Sequence, residues 1–288
     1  MIPPTVMPAL VTPFDRSGEI RLSDHRHNLR TLWDAGVRGY LIAGSTGEGP
    51  YLEPGERRQL LEAARSELGS KAFLLCGVAA ETTRQAMAMV KEARFGGADG
   101  ALVITPTTLA RNRHRMVEDF YLGLAEASPL PIWIYTVPAV TAYELPLESV
   151  LRVAEHPNVA GIKDSGGHPV RFQAMAAAAG PDFHLYSGAS AAITLAIEGG
   201  ARGAITASTN YAPRRVLRTV EAARRRSSDS PKLQADLVRL TSVVEAYGVP
   251  GVKAAARSAG MRPGVPRLPL VALPSKESKR VVAALTPV

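Results

Sequence analysis

A chain of 288 residues, 46% hydrophobic and 21% charged, has the composition of an ordinary globule and enough apolar material for one large α/β domain or two small ones. Its single cysteine, Cys76, excludes an internal disulfide and a cysteine-based zinc site, and no apolar run reaches the length of a bilayer span. The formal charge of +8 comes from scattered basic residues. Their densest run, Arg224-Arg225-Arg226, closes a helical stretch, where cations suit the helix end, so it gives no basis for nucleic-acid binding.

The opening MIPPTVMPALVTPFD lacks the basic start and long apolar core of a signal peptide, which makes the cytoplasm the expected compartment. Short apolar, β-branched runs then recur along the chain. They are Val6 to Phe14, Gly39 to Gly44, Phe73 to Val78, Ala101 to Pro106, Pro131 to Pro138, Val159 to Ser165, Phe183 to Gly188 and Gly203 to Thr209. Near-continuous hydrophobicity of this kind marks strands covered on both faces. Between them lie helical segments such as ERRQLLEAARSEL (Glu56 to Leu68), after Pro54, and TTRQAMAMVKEARFGG (Thr82 to Gly97), which ends in glycines. Strand and helix alternate, so the units are parallel βα units, and eight of them predict an α/β fold of the closed (β/α)8 barrel type. An open doubly wound sheet fits less well, because no GxGxxG follows the first strand. PRRVLRTVEAARRR, SPKLQADLVRLTSVVEAYG and PGVKAAARSAG read as three more helices. The first closes the eighth unit and the others overrun it. The expected division is a catalytic barrel over residues 1–225 with a C-terminal helical extension, 226–288, packed on it.

In such a barrel the chemistry sits at the C-terminal ends of the strands. Strand two ends in GSTGEG (Gly44 to Gly49), strand four in TPTT (Thr105 to Thr108), strand five in YTVP (Tyr135 to Pro138) and strand six in KDSGG (Lys163 to Gly167). Period-two counting puts Val159, Gly161 and Lys163 on one strand face, and Trp133 with Tyr135 on one face of strand five. If both faces point to the barrel axis, Lys163 and Tyr135 meet on neighbouring strands roughly 5 Å apart at the backbone. An amine in an apolar interior loses its proton more readily and can condense with a carbonyl to a Schiff base. The plainer role for Lys163 is a structural lysine paired with Asp164, but Asp164 falls on the opposite strand face. For Tyr135 taken alone the plainer role is packing. GSTGEG offers backbone N–H groups and two hydroxyls at a strand-to-helix turn, a cradle for an anion such as the carboxylate of a 2-oxo acid. The six histidines show no metal-binding spacing.

GSTGE after strand two, YTVP after strand five and GIKDS in strand six, in that order, resemble the dihydrodipicolinate synthase / N-acetylneuraminate lyase family. The likeness runs from VTPF to YGVPGVKAAARSAG. It implies a barrel with a helical tail, usually a tetramer, that works through a lysine Schiff base without metal or organic cofactor. Carried onto this chain, it implies Lys163 as the Schiff-base lysine and Tyr135 as the proton carrier. Ser45 and Thr46 would bind the 2-oxo acid carboxylate, Thr46 also acting in the proton relay, and the Ile205 backbone carbonyl would lie over the pyruvate carbons. The chain departs from the family pattern twice. Thr107-Thr108 stands where the family commonly has an aromatic pair whose second tyrosine completes the relay, often across a subunit boundary. Val140 stands where the synthases carry an arginine for the aldehyde substrate's carboxylate. Thr108 and Val140 are therefore counted with Ser45, Thr46 and Ile205 as substrate-binding positions.

The expected function is a class I aldolase-type lyase making or breaking a carbon–carbon bond beside a 2-oxo acid, with some likeness to 4-hydroxy-2-oxoglutarate aldolase. The alternatives are a synthase condensing pyruvate with aspartate semialdehyde, which Val140 disfavours, and a non-catalytic 2-oxo acid binder, which Thr107-Thr108 motivates. A homo-oligomer, tetramer or dimer, is expected, with a small-molecule substrate and neither nucleic acid nor membrane as partner.

Overall fold

The computed structural model describes residues 2–285. Eight strands form one sheet: β1 Val6–Pro8, β2 Gly39–Ile42, β3 Phe73–Val78, β4 Gly100–Ile104, β5 Ile132–Thr136, β6 Val159–Asp164, β7 His184–Ser187 and β8 Gly203–Thr206. Each pairs in parallel with its sequence neighbour from β2 to β8, and β8 pairs with β1. The circle closes where Ala9 bridges Leu41 and the Leu10 N–H donates to the Leu41 carbonyl at 2.9 Å. This is the (β/α)8 barrel with a C-terminal helical extension that the alternation of elements predicts.

The helices are α1 Leu22–Asp34, α2 Glu56–Leu68, α3 Thr83–Phe95, α4 His114–Ala127, α5 Pro138–Thr141, α6 Leu147–Ala154, α7 Pro169–Ala178, α8 Ile193–Glu198 and α9 Pro213–Arg224, followed by α10 Ser230–Val244, α11 Gly248–Ser258 and α12 Ser275–Leu285. Local chemistry sets several ends. The Thr82 side chain accepts the Gln85 N–H at the start of α3, and Gly97, with φ of 87°, lets the chain turn away beyond its end. Among the described residues, no helix is long and apolar enough to cross a membrane.

The structure departs from the sequence reading at both ends. β1 stops at Pro8, not Phe14, because Pro8 and Pro13 have no N–H to offer a ladder; Phe14 instead forms bridges with Ile20 and Val265. α11 begins at Gly248 rather than Pro250, since a proline in a first helical turn removes an N–H that has no helical partner. α12 was not among the expected helices; of its residues only Val281 is buried, so its apolar signal is slight.

Two apolar layers hold the barrel. Outside it, one large cluster joins strands to helices, with Val103, Ile134 and Ile162 facing Leu124, Val150 and Phe172. Inside it, Met7, Leu41, Phe73, Leu75, Leu102, Trp133, Tyr186 and Ile205 fill the axis. Trp133 packs edge-on to Phe73 and tilted against Tyr186, with ring centroids 6.4 and 5.6 Å apart. Gly161 makes this possible, because a Cβ there would stand 2.9 Å from the indole. Burying Trp133 contributes about 3 kcal/mol or more by comparison with truncations of such residues.

His25 on α1 is wholly buried, with Nε2 3.2 Å from the Leu60 carbonyl and Nδ1 unpartnered. Burial pushes its pKa down to about 4, while the unfolded chain takes up the proton near 6.5. Between those values the unfolded state binds more protons, so stability falls as pH drops from 6.5 toward 4. His25→Gln, which can still donate to Leu60, should lose about 2 kcal/mol less than the parent between pH 7 and pH 4.5 in urea titrations; equal losses would show that other groups govern acid stability.

Candidate active site

The site starts from strand register. Tyr135 on β5 is paired with Lys163 on β6, and both side chains are almost wholly buried. The Lys163 Nζ lies 4.2 Å from the centroid of the Tyr135 ring. Asp164 faces the other way, as the period-two count requires. It is fully buried, accepts Arg171 Nε at 2.8 Å and takes the Gly166 N–H at 2.8 Å, so it is not the partner of Lys163. On the far side of the lysine stands the loop after β7. A Cβ at Gly188 would stand 2.8 Å from Lys163 Cε and closer still to Ser165 Oγ, so a side chain there would displace the lysine stem or the serine.

Two lysines are buried among the described residues, Lys163 and Lys253, and they differ in one respect. Lys253 on α11 sits 2.5 Å from Glu48 Oε1 and donates to the Val265 carbonyl at 2.7 Å. Lys163 has no hydrogen bond or ion pair with any described residue, only the face of Tyr135. A buried amine is ordinarily paired because its desolvation is otherwise uncompensated. Lys253 follows that rule, whereas the Lys163 amine is not one of the enclosed polar atoms that lack a partner and keeps access to solvent.

The GSTGEG turn after β2 is tightly built. Ala43 and Glu48 both adopt left-handed backbone, with φ of 59° and 58°. Gly49 and Gly77 both press on the Ala43 carbonyl so closely that neither could carry a Cβ. Thr12 Oγ1 donates to the Gly47 carbonyl at 2.6 Å, and the Glu48 and Gly49 amides turn back to the Ser45 and Gly44 carbonyls at 3.0 Å each. Ser45 and Thr46 remain partly exposed. Ser45 shares a small recess with Gly44, Gly77, Ile104 and Tyr135, so the turn and the tyrosine are brought together. Ile205 is buried on β8, level with Met7 of β1. Thr108 is exposed and its amide donates to Glu81 Oε2 at 2.8 Å. Val140 is 70% exposed on the short helix α5. Neither of these two side chains is enclosed within the barrel as Lys163, Tyr135 and Ile205 are.

Sequence reasoning missed the groups that brace the turn. Glu48, the acid of GSTGEG, is fully buried between Lys253 and the Arg267 N–H, which reaches its Oε2 at 2.7 Å. Arg267 in turn binds Glu56 Oε1 and Oε2 at 2.7 and 2.6 Å and lies 4.1 Å over the Phe14 ring. Burial pushes the Lys253 pKa down to about 8, with Glu48 opposing the fall. Both Glu48 and Lys253 sit in motifs noticed in the sequence, but nothing in the chain couples an acid after β2 to a lysine on α11. A polar cluster around Glu245 was missed for the same reason.

A parallel eight-stranded barrel with these features defines the class I aldolase-type lyases. A profile of the Dihydrodipicolinate synthetase family matches residues 3–287. A 4-hydroxy-tetrahydrodipicolinate synthase of Synechococcus sp. is 34% identical over 96% of this chain and 91% of its own. An uncharacterized DapA-like lyase of Halobacterium salinarum is 32% identical over 97% and 92%. The crystal structure of dihydrodipicolinate synthase DapA-2 from Bacillus anthracis superposes with a TM-score of 0.92, at 26% identity, over 98% of this chain and 97% of that one. The chain belongs to the dihydrodipicolinate synthetase family.

Removing one partner of the Glu48–Lys253 pair leaves a buried charge uncompensated. Lys253→Met should therefore cost about 3 kcal/mol of stability. Glu48→Gln combined with Lys253→Met should recover at least about 1 kcal/mol of it by the same reasoning, measured by denaturant titration. A double variant no more stable than Lys253→Met would show that packing, not charge, dominates there.

Proposed function

We propose that this lyase acts on pyruvate or a related 2-oxo acid through a Schiff base on Lys163, in the manner of 4-hydroxy-2-oxoglutarate aldolase. The observation that carries this is Lys163, a residue almost wholly buried in the barrel whose amine stands over the Tyr135 ring without an ion-pair partner among the described residues. Ser45, Thr46 and the amides of their turn hold the substrate carboxylate, and the Ile205 carbonyl lies over the pyruvate carbons.

The unprotonated Lys163 amine adds to the ketone carbon and gives a carbinolamine. Tyr135 Oη protonates the carbinol oxygen, which leaves as water, so that a protonated imine and a tyrosinate remain. In the cleavage direction the electrons of the adjacent carbon–carbon bond flow into that imine and form an enamine. The proton of the substrate's 4-hydroxyl leaves through Tyr135 Oη as the aldehyde departs. A proton returns to the enamine carbon, and water hydrolyses the imine to release pyruvate and free Lys163. Every step uses the chain's own groups and water, with no metal or organic cofactor. Position 108, a threonine, supplies a shorter and less acidic hydroxyl than a phenol, and the relay runs from Tyr135 through Thr46.

A second reading has support in the comparisons: several relatives carry the name 4-hydroxy-tetrahydrodipicolinate synthase. Condensation with aspartate semialdehyde would require a cationic clamp for the second carboxylate, and Val140 is a poor substitute for the bidentate donor the synthases place there. We rank cleavage of a 4-hydroxy-2-oxo acid above it. A homo-oligomer, usual in this family, would cover the 86% exposed Leu109 beside Thr108.

Borohydride reduction in the presence of pyruvate, followed by peptide mass mapping, should place one reduced pyruvyl adduct on Lys163, and Lys163→Ala should give neither adduct nor turnover. Release of pyruvate from 4-hydroxy-2-oxoglutarate should exceed condensation with aspartate semialdehyde in a coupled assay. The opposite ranking would make the chain a synthase, and no adduct on folded protein would leave a 2-oxo acid binder.

A further inference from the structure

The loop after β1 and the segment after α11 meet in a recess that shares no lining residue with the lysine site. Phe14 of the loop bridges Val265 of the segment, and the Val265 N–H donates to the Phe14 carbonyl at 2.9 Å. Gly264, with φ of 65°, permits this approach, since a Cβ there would stand 2.3 Å from the Phe14 carbonyl oxygen. The wall is fixed from behind. Lys253 Nζ donates to the Val265 carbonyl at 2.7 Å, and Glu48 Oε2 holds the Arg267 N–H at 2.7 Å. The hollow measures about 740 Å³, and the buried side chains of Phe14 and Met261 give it an apolar floor.

Four arginines line it: Arg16 and Arg21 from the loop, Arg257 from α11 and Arg262 from the segment. The acids beside them are already engaged. Asp15 is taken up by its own turn, where it accepts the Ser17 N–H, the Ser17 hydroxyl and the Glu19 N–H at 2.9, 2.7 and 3.0 Å. Asp24 accepts Arg21 at 2.7 Å and stands 3.7 Å from Arg262. Arg257 gives one N–H to the Gly264 carbonyl at 2.8 Å, and exposed Arg16 has neither hydrogen bond nor ion pair, so among the described residues neither guanidinium meets a carboxylate. A single exposed arginine is a solvated side chain and needs no partner. Four around one hollow are a different case, because their fields add and a low-dielectric wall focuses them on any anion that enters.

We infer that this recess is a binding site for a small, multiply charged oxyanion, a polycarboxylate or a phosphate. Arg16 and Arg257 supply the free cations, whose planar forks match the paired oxygens of either group. Arg21 and Arg262, tied to Asp24, close the rim around them. A monocarboxylate would satisfy one guanidinium and leave the other facing a cation, so the ligand carries at least two charges. The wall that Lys253 and Glu48 hold in place is formed before any ligand arrives, which keeps the ordering cost of binding low. This site is independent of the chemistry assigned to Lys163, and it gives the segment after α11 a role besides bracing the turn after β2.

The test is calorimetric titration of the full chain with sodium citrate and with sodium pyrophosphate, at an ionic strength held constant with sodium chloride. At least one of the two should bind saturably at one site per chain, and an excess of pyruvate should leave that binding unchanged. Citrate alone would make the ligand a polycarboxylate, pyrophosphate alone a phosphate; both results support the site. Arg16→Gln with Arg257→Gln, checked for folding by circular dichroism, should weaken the binding about tenfold, and Arg16→Gln alone about threefold, as the loss of two and of one exposed ion pair would. Saturable binding by neither anion would overturn the proposal and leave a solvated basic rim. Binding that the double variant retains, or that pyruvate displaces, would overturn it equally by placing the anion elsewhere. Should the double variant fail to fold, Arg16→Gln decides alone, since that side chain contributes no hydrogen bond or ion pair to the fold, and an unchanged affinity there overturns the proposal.

Discussion

The constraint on which the site depends is a lysine whose stem is enclosed by the barrel while its amine meets an aromatic face and no carboxylate within ion-pair distance among the described residues. Lys163 is held in place by backbone pairing of β6 with β5 and β7, strands whose own side chains are buried on both faces. Below it Trp133, Tyr186 and Phe73 close the axis, so the lysine cannot retreat into a polar interior. Beside it Tyr135 offers a ring face, and across from it Gly188 offers only backbone.

The C-terminal extension braces the site from behind. Lys253 and Arg267 hold Glu48, and Glu48 holds a turn with left-handed backbone at Ala43 and at Glu48 itself. Non-glycine residues in that region carry local strain that surrounding contacts must offset. A buried ion pair is weak evidence for stability, since desolvation offsets much of its attraction. Its value here is geometric: it sets where Ser45 and Thr46 stand relative to Tyr135. The extension thus reaches the C-terminal ends of the strands on the β2 side, where Lys253 and Arg267 meet Glu48, and on the β7–β8 side, where Glu245 meets Ser190.

Much of this was readable from local pattern. Strands buried on both faces show continuous apolar runs, and helices between them show glycine and proline at their ends, so the barrel and most of its boundaries followed from periodicity and turn chemistry. The same period of two placed Lys163 with Tyr135 and turned Asp164 away, and the register confirms both placements. What local pattern could not supply were partners distant in the chain. Glu48 looks like one more acid in a glycine-rich turn, and Lys253 like a helix-surface cation, until α11 packs against the loop after β2. Glu245 has no signature at all within its own segment, since its neighbours Ala246 and Tyr247 say nothing of Ser190 or Tyr211.

The sequence by itself determined the architecture, the strand carrying the barrel lysine and the phenol that meets it, because these depend on interactions spanning a few residues or one strand period. Tertiary structure decided which of the two lysines meets a carboxylate among the described residues. Lys163 and Lys253 both sit in mainly apolar surroundings in the sequence, and only packing gives Lys253 a carboxylate and Lys163 an aromatic face. The physical reason is that desolvation and charge pairing are properties of a position in space, and the groups that set them arrive from loops and helices far along the chain.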